Sequence, residues 1–351
     1  MISFCEYIWL DGTKPVQALR NKTRMLDFSN SLPTLDSFPI WGFDGSSTHQ
    51  ASGSHSDLIL KPAYFVNDPI RGENHYLVLC EVLNTDGTAH ETNYRAKLRQ
   101  ELQNSPSDEQ AMFGFEQEYT LYQGERPLGW PTEKELAPQG PYYCGIGSDR
   151  TFGRDLVEAH AFACAEANLA IYGINAEVMP SQWEFQIGYR GLQHEAADPL
   201  TISDQVWIAR WLLIRLAEDG NITINWSCKP KANWNGAGMH TNFSTQAMRD
   251  PETGWSSIHQ LVEALSKHHP EHLAEYGFGL EERLTGLHET SDINTFKMGA
   301  CDRGASIRIP EPVANKKCGY IEDRRPGANA DPYRISTRIL KTLHAMNESC
   351  F

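Results

Sequence analysis

Met112-Phe113-Gly114-Phe115-Glu116-Gln117-Glu118-Tyr119-Thr120-Leu121 is the stretch on which the reading of this chain turns. Successive side chains of a strand point to opposite faces. Read so, Phe113, Phe115, Tyr119 and Leu121 share one face, and Glu116 and Glu118 share the other. Two like charges this close repel unless a cation lies between or beside them. Taken alone, the segment also reads as a strand with a wet acidic face.

A second acidic pair lies further along, in the run from Asn175 to Ile187. Pro180 should break the strand there. Glu177 precedes the break, and Glu184 alternates with Trp183, Phe185 and Ile187. Two sets of carboxylates on otherwise apolar β segments suggest one shared acidic cavity. A histidine follows in Asn233-Trp234-Asn235-Gly236-Ala237-Gly238-Met239-His240-Thr241-Asn242-Phe243-Ser244. His240, Asn242 and Ser244 alternate with Met239, Thr241 and Phe243. The glycines before them let a substrate approach the backbone closely, although this is no P-loop. A basic series closes the set: Arg283, then Arg303 to Pro310 with Arg308, then Tyr320, Glu322 and Arg324 on one face of a strand. Arginine forks bind phosphate and carboxylate bidentately; singly, each also reads as a surface salt bridge. Glutamates, one histidine and arginines in one cavity suit divalent metal, phosphate and an anionic substrate, as in metal-dependent phosphoryl transfer.

Bulk properties agree. The 351 residues suit about two domains. A net charge of −14 repels phosphate backbones, so nucleic acid is excluded as a partner. The eight cysteines are scattered with no C-x-x-C pair, Cys350 among them, which fits reduced thiols. The N-terminus lacks a basic stretch followed by an apolar one, and the run Val206 to Leu216 is broken by Arg210 and Arg215. The expectation is a soluble, cytoplasmic protein that does not enter a membrane.

The first ninety residues read as short strands and turns: Tyr7–Leu10, Asp57–Leu60 ending at Pro62, and His75–Leu83. Thr92 is expected to cap a helix carrying Tyr94, Leu98 and Leu102, followed by a polar break at Asn104–Asp108. The spacing predicts further helices from Ser203 to Asp219, after a Ser257/Gln260 capping box, and from Ser336. Thr132–Ala137 and Tyr189–Pro199 read as loops. The expected division is residues 1–90 and 91–351.

These segments also carry a resemblance. Trp41–Thr48, Phe115–Tyr119, Pro138–Cys144, Asn175–Gly188, Asn233–Ser244, Arg303–Pro310 and Glu322–Pro326 resemble, in order, the signature blocks of the glutamine synthetase family in its eukaryotic-like (type II) form. The resemblance implies an α+β fold: an N-terminal β-grasp domain, then a catalytic domain with a curved antiparallel sheet flanked by helices. It implies ATP-dependent ligation of ammonia to the γ-carboxyl of glutamate through γ-glutamyl phosphate, with two or three Mg²⁺ or Mn²⁺ ions per active site. Glu118, Glu177 and Glu184 match the ligands of a first metal; Glu116, His240 and Glu322 match those of a second. Asn235, Gly236, Arg283 and Arg324 match glutamate-binding positions. Arg303 and Arg308 match arginines around the transferred phosphate and the nucleotide, and Ser244, Arg249 and Tyr320 match nucleotide contacts. Asp44 matches an aspartate that reaches in from a neighbouring subunit to deprotonate ammonium, and Glu289 matches a flap glutamate. A homo-oligomer of two stacked pentameric rings is implied. Met112 stands where close relatives carry a tryptophan against the adenine. The alternatives are a glutamate–amine ligase of the same superfamily and a non-catalytic structural relative.

Overall fold

The computed structural model describes residues 2–29, 31–106, 109–133, 136–192 and 195–348. Cys350 and parts of the Asn104–Asp108, Thr132–Ala137 and Tyr189–Pro199 segments lie outside them.

The N-terminal sheet has five strands, β1 (Ile2–Leu10), β2 (Leu19–Asp27), β3 (Trp41–Asp44), β4 (Asp57–Asn67) and β5 (Tyr76–Leu83). Their spatial order is β2-β1-β5-β4-β3, with β1 and β5 parallel. Tyr7, Trp9, Phe38, Phe43 and Tyr76 form an aromatic core for this sheet. This is the expected β-grasp layer. Pro62 does not end β4. The strand passes through it with a register irregularity between Pro62 and Tyr64, the kind of interruption at which a strand tolerates a residue without an N–H donor.

Helix α1 (Tyr94–Leu102) follows. Its cap is Asn93, whose side chain accepts from the Ala96 N–H at 2.9 Å; Thr92 instead bonds Gln50 and His90. Arg95 of α1 ties the two layers together, reaching Glu81 of β5 at 2.8 Å and Asp204 at 2.8 Å.

The second sheet is larger. It contains β6 (Met112–Gln123), β7 (Arg126–Pro127), β8 (Ile171–Ala176), β9 (Gln182–Gly188), β10 (Thr223–Asn225), β11 (Met239–Ser244), β12 (Met298–Ala300), β13 (Ile307–Ile309) and β14 (Ile321–Asp323). The order is β12-β13-β14-β11-β6-β9-β8, with β7 and β10 on the far half of β6. All pairs are antiparallel except β12 with β13. The sheet is therefore mixed rather than purely antiparallel.

Helices α2 (Arg154–Glu166) and α3 (Pro199–Glu218) cover one face of this sheet. The remaining helices are α4 (Gln246–Arg249), α5 (Gly254–Lys267), α6 (His269–Leu273), α7 (Leu280–Arg283), α8 (Glu311–Lys316) and α9 (Pro332–Glu348). Three more helix starts differ from the expectation. α3 begins four residues before Ser203, capped by Asp198 with Pro199 in its first turn. Proline there costs nothing, because its missing N–H has no partner anyway. Ser257 lies inside α5 and donates back to the Thr253 carbonyl, so it forms no capping box. α9 begins at Pro332, ahead of Ser336. No described helix is long and apolar enough to cross a membrane.

Candidate active site

Cross-strand register assembles the site. In the central strand β6, Glu116 stands opposite His240 of β11, and Glu118 opposite Glu184 of β9. On the next pair out, Asn242 of β11 faces Glu322 of β14, and Arg308 of β13 faces that same Glu322. On the other side, Asn175 of β8 faces Glu184. Directly opposed residues have Cβ atoms about 5 Å apart. One register thus gathers residues scattered over some two hundred positions of sequence. The other face of β6 carries Phe113, Phe115 and Tyr119 into the core beneath α3.

Two groups of three donors result. Glu118, Glu177 and Glu184 each bring a carboxylate oxygen within 4.8 Å of the others, and the carboxylates of Glu116 and Glu184 do so with a ring nitrogen of His240. His240 Nδ1 lies 3.6 Å from Glu116 and 3.7 Å from Glu322. Glu184 thus belongs to both groups, whereas the Glu322 carboxylate is gripped by Arg308 and Arg324.

Few hydrogen bonds offset the negative charge. The Gly238 N–H donates to Glu118, the Asn175 amide to Glu177 at 2.8 Å, and the Gln186 amide to Glu184 at 2.5 Å. Asn242 donates to Glu116 at 2.9 Å. Burial, with the Glu177 charge next, pushes Glu118 up to about 8. Burial and the charges of Glu116, Glu118 and Glu177 push Glu184 well above the usual carboxylate range. Glu177 is also raised, chiefly by burial. His240 is held well below its ordinary value by burial and by the Arg324 charge, so its ring is neutral and has a lone pair to offer. Several oxygens short of positive charge, beside one neutral imidazole, fit a hard divalent cation such as Mg²⁺ or Mn²⁺.

Arginines line the other wall. Arg283 is buried; it donates to the Arg324 and Arg325 carbonyls at 3.1 and 3.3 Å and lies 3.1 Å from His240 Nε2. Its side chain crowds two glycines, and the Cys228 carbonyl, 2.5 Å from a Cβ on Gly236, crowds one of them more closely still. A Cβ on Gly236 would lie 2.7 Å from Arg283 Cγ, and one on Gly238 would lie 2.5 Å from Arg283 Nη2. Asn235 accepts from the Gln139 amide at 2.7 Å. Arg303 is exposed, and its carbonyl accepts from Arg324 Nε at 2.9 Å.

Ser244, Arg249 and Tyr320 line a separate, adjoining cavity of about 600 Å³ with Met112, Phe113 and Tyr189. Arg249 donates to Ser244 Oγ and to the Gln110 carbonyl, each at 2.8 Å. Glu289 is exposed in a left-handed turn with His288 and adds its charge to the field at Glu177. Asp44 is not brought to the cluster within one chain. It sits exposed at the end of β3 and accepts from the Ser46 and Ser47 hydroxyls, which lower its pKa.

The sequence reading missed the neutral partners Gln139 and Gln186 and the Gly238 N–H. Gln186 had a signal, since it shares a strand face with Glu184. Gln139 lies in the Pro138–Cys144 block, which carried the resemblance without a role for this residue; the Gly238 N–H had no signal, because its partner comes from a remote segment.

The comparisons with known proteins converge on one family. Residues 1–85 match the model described as glutamine synthetase, beta-Grasp domain. Residues 91–272 match the model described as glutamine synthetase, catalytic domain. The chain is 51% identical over 349 residues to the chloroplastic glutamine synthetase of Chlamydomonas reinhardtii, covering 96% of this chain and 90% of the relative. It is 52% identical over 338 residues to a glutamine synthetase of Streptomyces viridochromogenes, covering 95% and 94%. A cryo-electron microscopy structure of Plasmodium falciparum glutamine synthetase superposes with a TM-score of 0.78 at 16% identity, over 99% of this chain and 73% of that one, which speaks to the fold. This chain belongs to the glutamine synthetase family.

Proposed function

We propose that this protein joins ammonia to the γ-carboxyl of glutamate with ATP, through γ-glutamyl phosphate, giving glutamine, ADP and phosphate. The observation that carries this reading is the row of under-neutralised carboxylates facing buried Arg283 and Arg324 across one cleft. Such a cleft suits two anions that must be brought together.

Glu118, Glu177 and Glu184 would hold one divalent ion, and Glu116, His240 and Glu322 a second. The chemistry such ions supply when bound is charge neutralisation at phosphoryl and carboxylate oxygens. Arg283, Arg324, Asn235 and the backbone at Gly236 bind and orient glutamate. Ser244, Arg249, Arg308 and Tyr320 take the nucleotide, with Met112 at the base. Arg303 faces the transferred phosphate. Asp44, reaching in from a neighbouring subunit, and Glu289 draw ammonium and accept its proton. Glu289 also closes the glutamate entrance, which keeps water from the acyl phosphate. The exposure of Asp44, remote from the cluster in its own chain, supports a homo-oligomer with shared sites, of the type II class and built from two pentameric rings. The division into residues 1–90 and 91–351 and a cytoplasmic location complete the reading.

The test is phosphate release by purified protein with ATP, Mg²⁺ and glutamate, with ammonium run against a panel of amines. Turnover with ammonium that yields glutamine and disappears in Glu322→Ala is expected. Turnover only with an organic amine would replace the reading by a glutamate–amine ligase.

A further inference from the structure

Four arginines are buried among the described residues: Arg210, Arg283, Arg324 and Arg325. Arg324 pairs with Glu322, and Arg325 with Asp323. Neither Arg283 nor Arg210 has a carboxylate within ion-pair reach among the described residues. Arg283 opens onto the acidic cleft, where an anionic substrate accounts for it. Arg210 stands on the opposite face of the sheet, and nothing so far accounts for its charge.

Arg210 lies on α3. Its Nε and Nη2 donate to the side-chain oxygen of Gln117, and Nη2 also reaches the Ala328 and Ala330 carbonyls at 3.0 and 2.9 Å. Nη1 makes no hydrogen bond with any described residue. The guanidinium lies over the indoles of Trp207 and Trp226, 4.6 and 5.1 Å from their ring centres. It lines a cavity of about 320 Å³ together with Leu19, Trp207, Trp211, Ile214 and Trp226. Asp331 feels its charge, but that carboxylate is turned to the Tyr333 N–H at 2.8 Å and the Trp207 indole N–H at 3.4 Å. Burial draws Arg210 down to about 9. Neutral acceptors and indole faces offset only part of the cost of a buried charge, and an anion beside it removes the rest.

We propose that this cavity binds a small monocarboxylate with a flat, apolar body. Arg215 also lines the cavity but is paired with Glu218 at 3.0 Å, so one guanidinium with a free Nη1 is left for one carboxylate. The indole walls call for an apolar, preferably aromatic, remainder. The volume lies at the low end of small-molecule sites and excludes a nucleotide. Leu19 comes from the N-terminal sheet and the tryptophans from the catalytic domain, so the ligand bridges the two. Gln117, clamped by Arg210, stands between Glu116 and Glu118, but on the other face of β6.

The probe is benzoate, titrated calorimetrically into the full-length protein, with benzamide as its neutral isostere. Saturable binding of one benzoate per chain is expected, undiminished by excess glutamate and absent for benzamide. Ile214→Trp fills the cavity and leaves the Gln117 clamp intact; it should weaken benzoate at least about tenfold. Arg210→Met should do the same. Absence of saturable binding, displacement by glutamate, equal binding of benzamide, or full binding to a folded Ile214→Trp protein would each overturn the proposal. Because the readout is binding, it stands apart from the ligase reading, which turnover tests.

Discussion

Glu322-Asp323-Arg324-Arg325, which runs through the end of β14, places one acid and one arginine on each side of the chain, and the two sides differ in kind. On the cleft side, Glu322 and Arg324 meet His240 among carboxylates that lack positive charge. On the far side, Asp323 and Arg325 form a closed set. Arg325 donates to Asp323 through Nε and Nη2 at 2.8 and 2.6 Å. Tyr276 donates its hydroxyl to Asp323 at 2.7 Å. His272 links Tyr276, at 2.6 Å, to Thr342, at 2.8 Å. The same residue types therefore hold the fold where every partner is present and prepare chemistry where partners are missing. A buried polar network stabilises only when it is complete.

Cutting the closed side should cost the most. Asp323→Ala leaves Arg325 buried with its charge uncompensated and should lower unfolding free energy by about 3–5 kcal/mol in urea titration; a loss below about 1 kcal/mol would erase the contrast. On the cleft side, Glu118→Gln should reduce ammonium-dependent turnover by about 10²–10³-fold. It should leave the metal-free protein at least as stable as before, since it removes a charge from a like-charged group.

The two sides should also answer pH in opposite senses. Glu118 keeps its proton in the folded state up to about 8, far above the usual carboxylate value. Its contribution is complete below the unfolded value and is lost as pH rises through about 8. His272 is depressed by burial, so its contribution is present above the ordinary histidine value and is lost as pH falls below it. Thermal melts of metal-free protein should therefore decline toward alkaline pH, with a slope approaching about 1.4 kcal/mol per pH unit for one proton. Added Mg²⁺ should flatten that decline and leave the acid limb unchanged. The smallest effect lies at the edge of the cleft. Met112→Trp should lower the KM for ATP by about two- to tenfold, the value of an aromatic contact of about 0.5–1.5 kcal/mol. An unchanged KM would place the base elsewhere.

The cleft side was more legible in the sequence than the closed side. Glu116, Glu118, Glu184 and His240 stand out because aromatic and aliphatic neighbours alternate with them. Tyr320, Glu322 and Arg324 share a face by the same period. The closed network leaves no such trace, because His272, Tyr276 and Thr342 come from separate elements that only the folded chain brings together. Among the helices, α3 starts at Pro199 rather than Ser203, since the Asp198–Pro199 start signal lies at the end of a stretch that reads as a loop. Pro62 looked like a strand end because sequence spacing does not reveal a register irregularity. A β-rich N-terminal layer and a larger sheet were both foreseeable, but β2 and β3 were not read as strands; which strand pairs with which was not legible either, and pairing is what brings Glu116 to His240.

The alternation in β14 also limits how this gene can drift. Point changes on either side can be judged by selection one at a time. A single-codon deletion between Lys317 and Ile321 is different, because a shift of one residue exchanges the two faces of a strand. Asp323 would turn toward the cleft and Glu322 toward His272, so catalysis and stability would fail together. Lineages carrying this strand are therefore expected to vary by replacement and not by length.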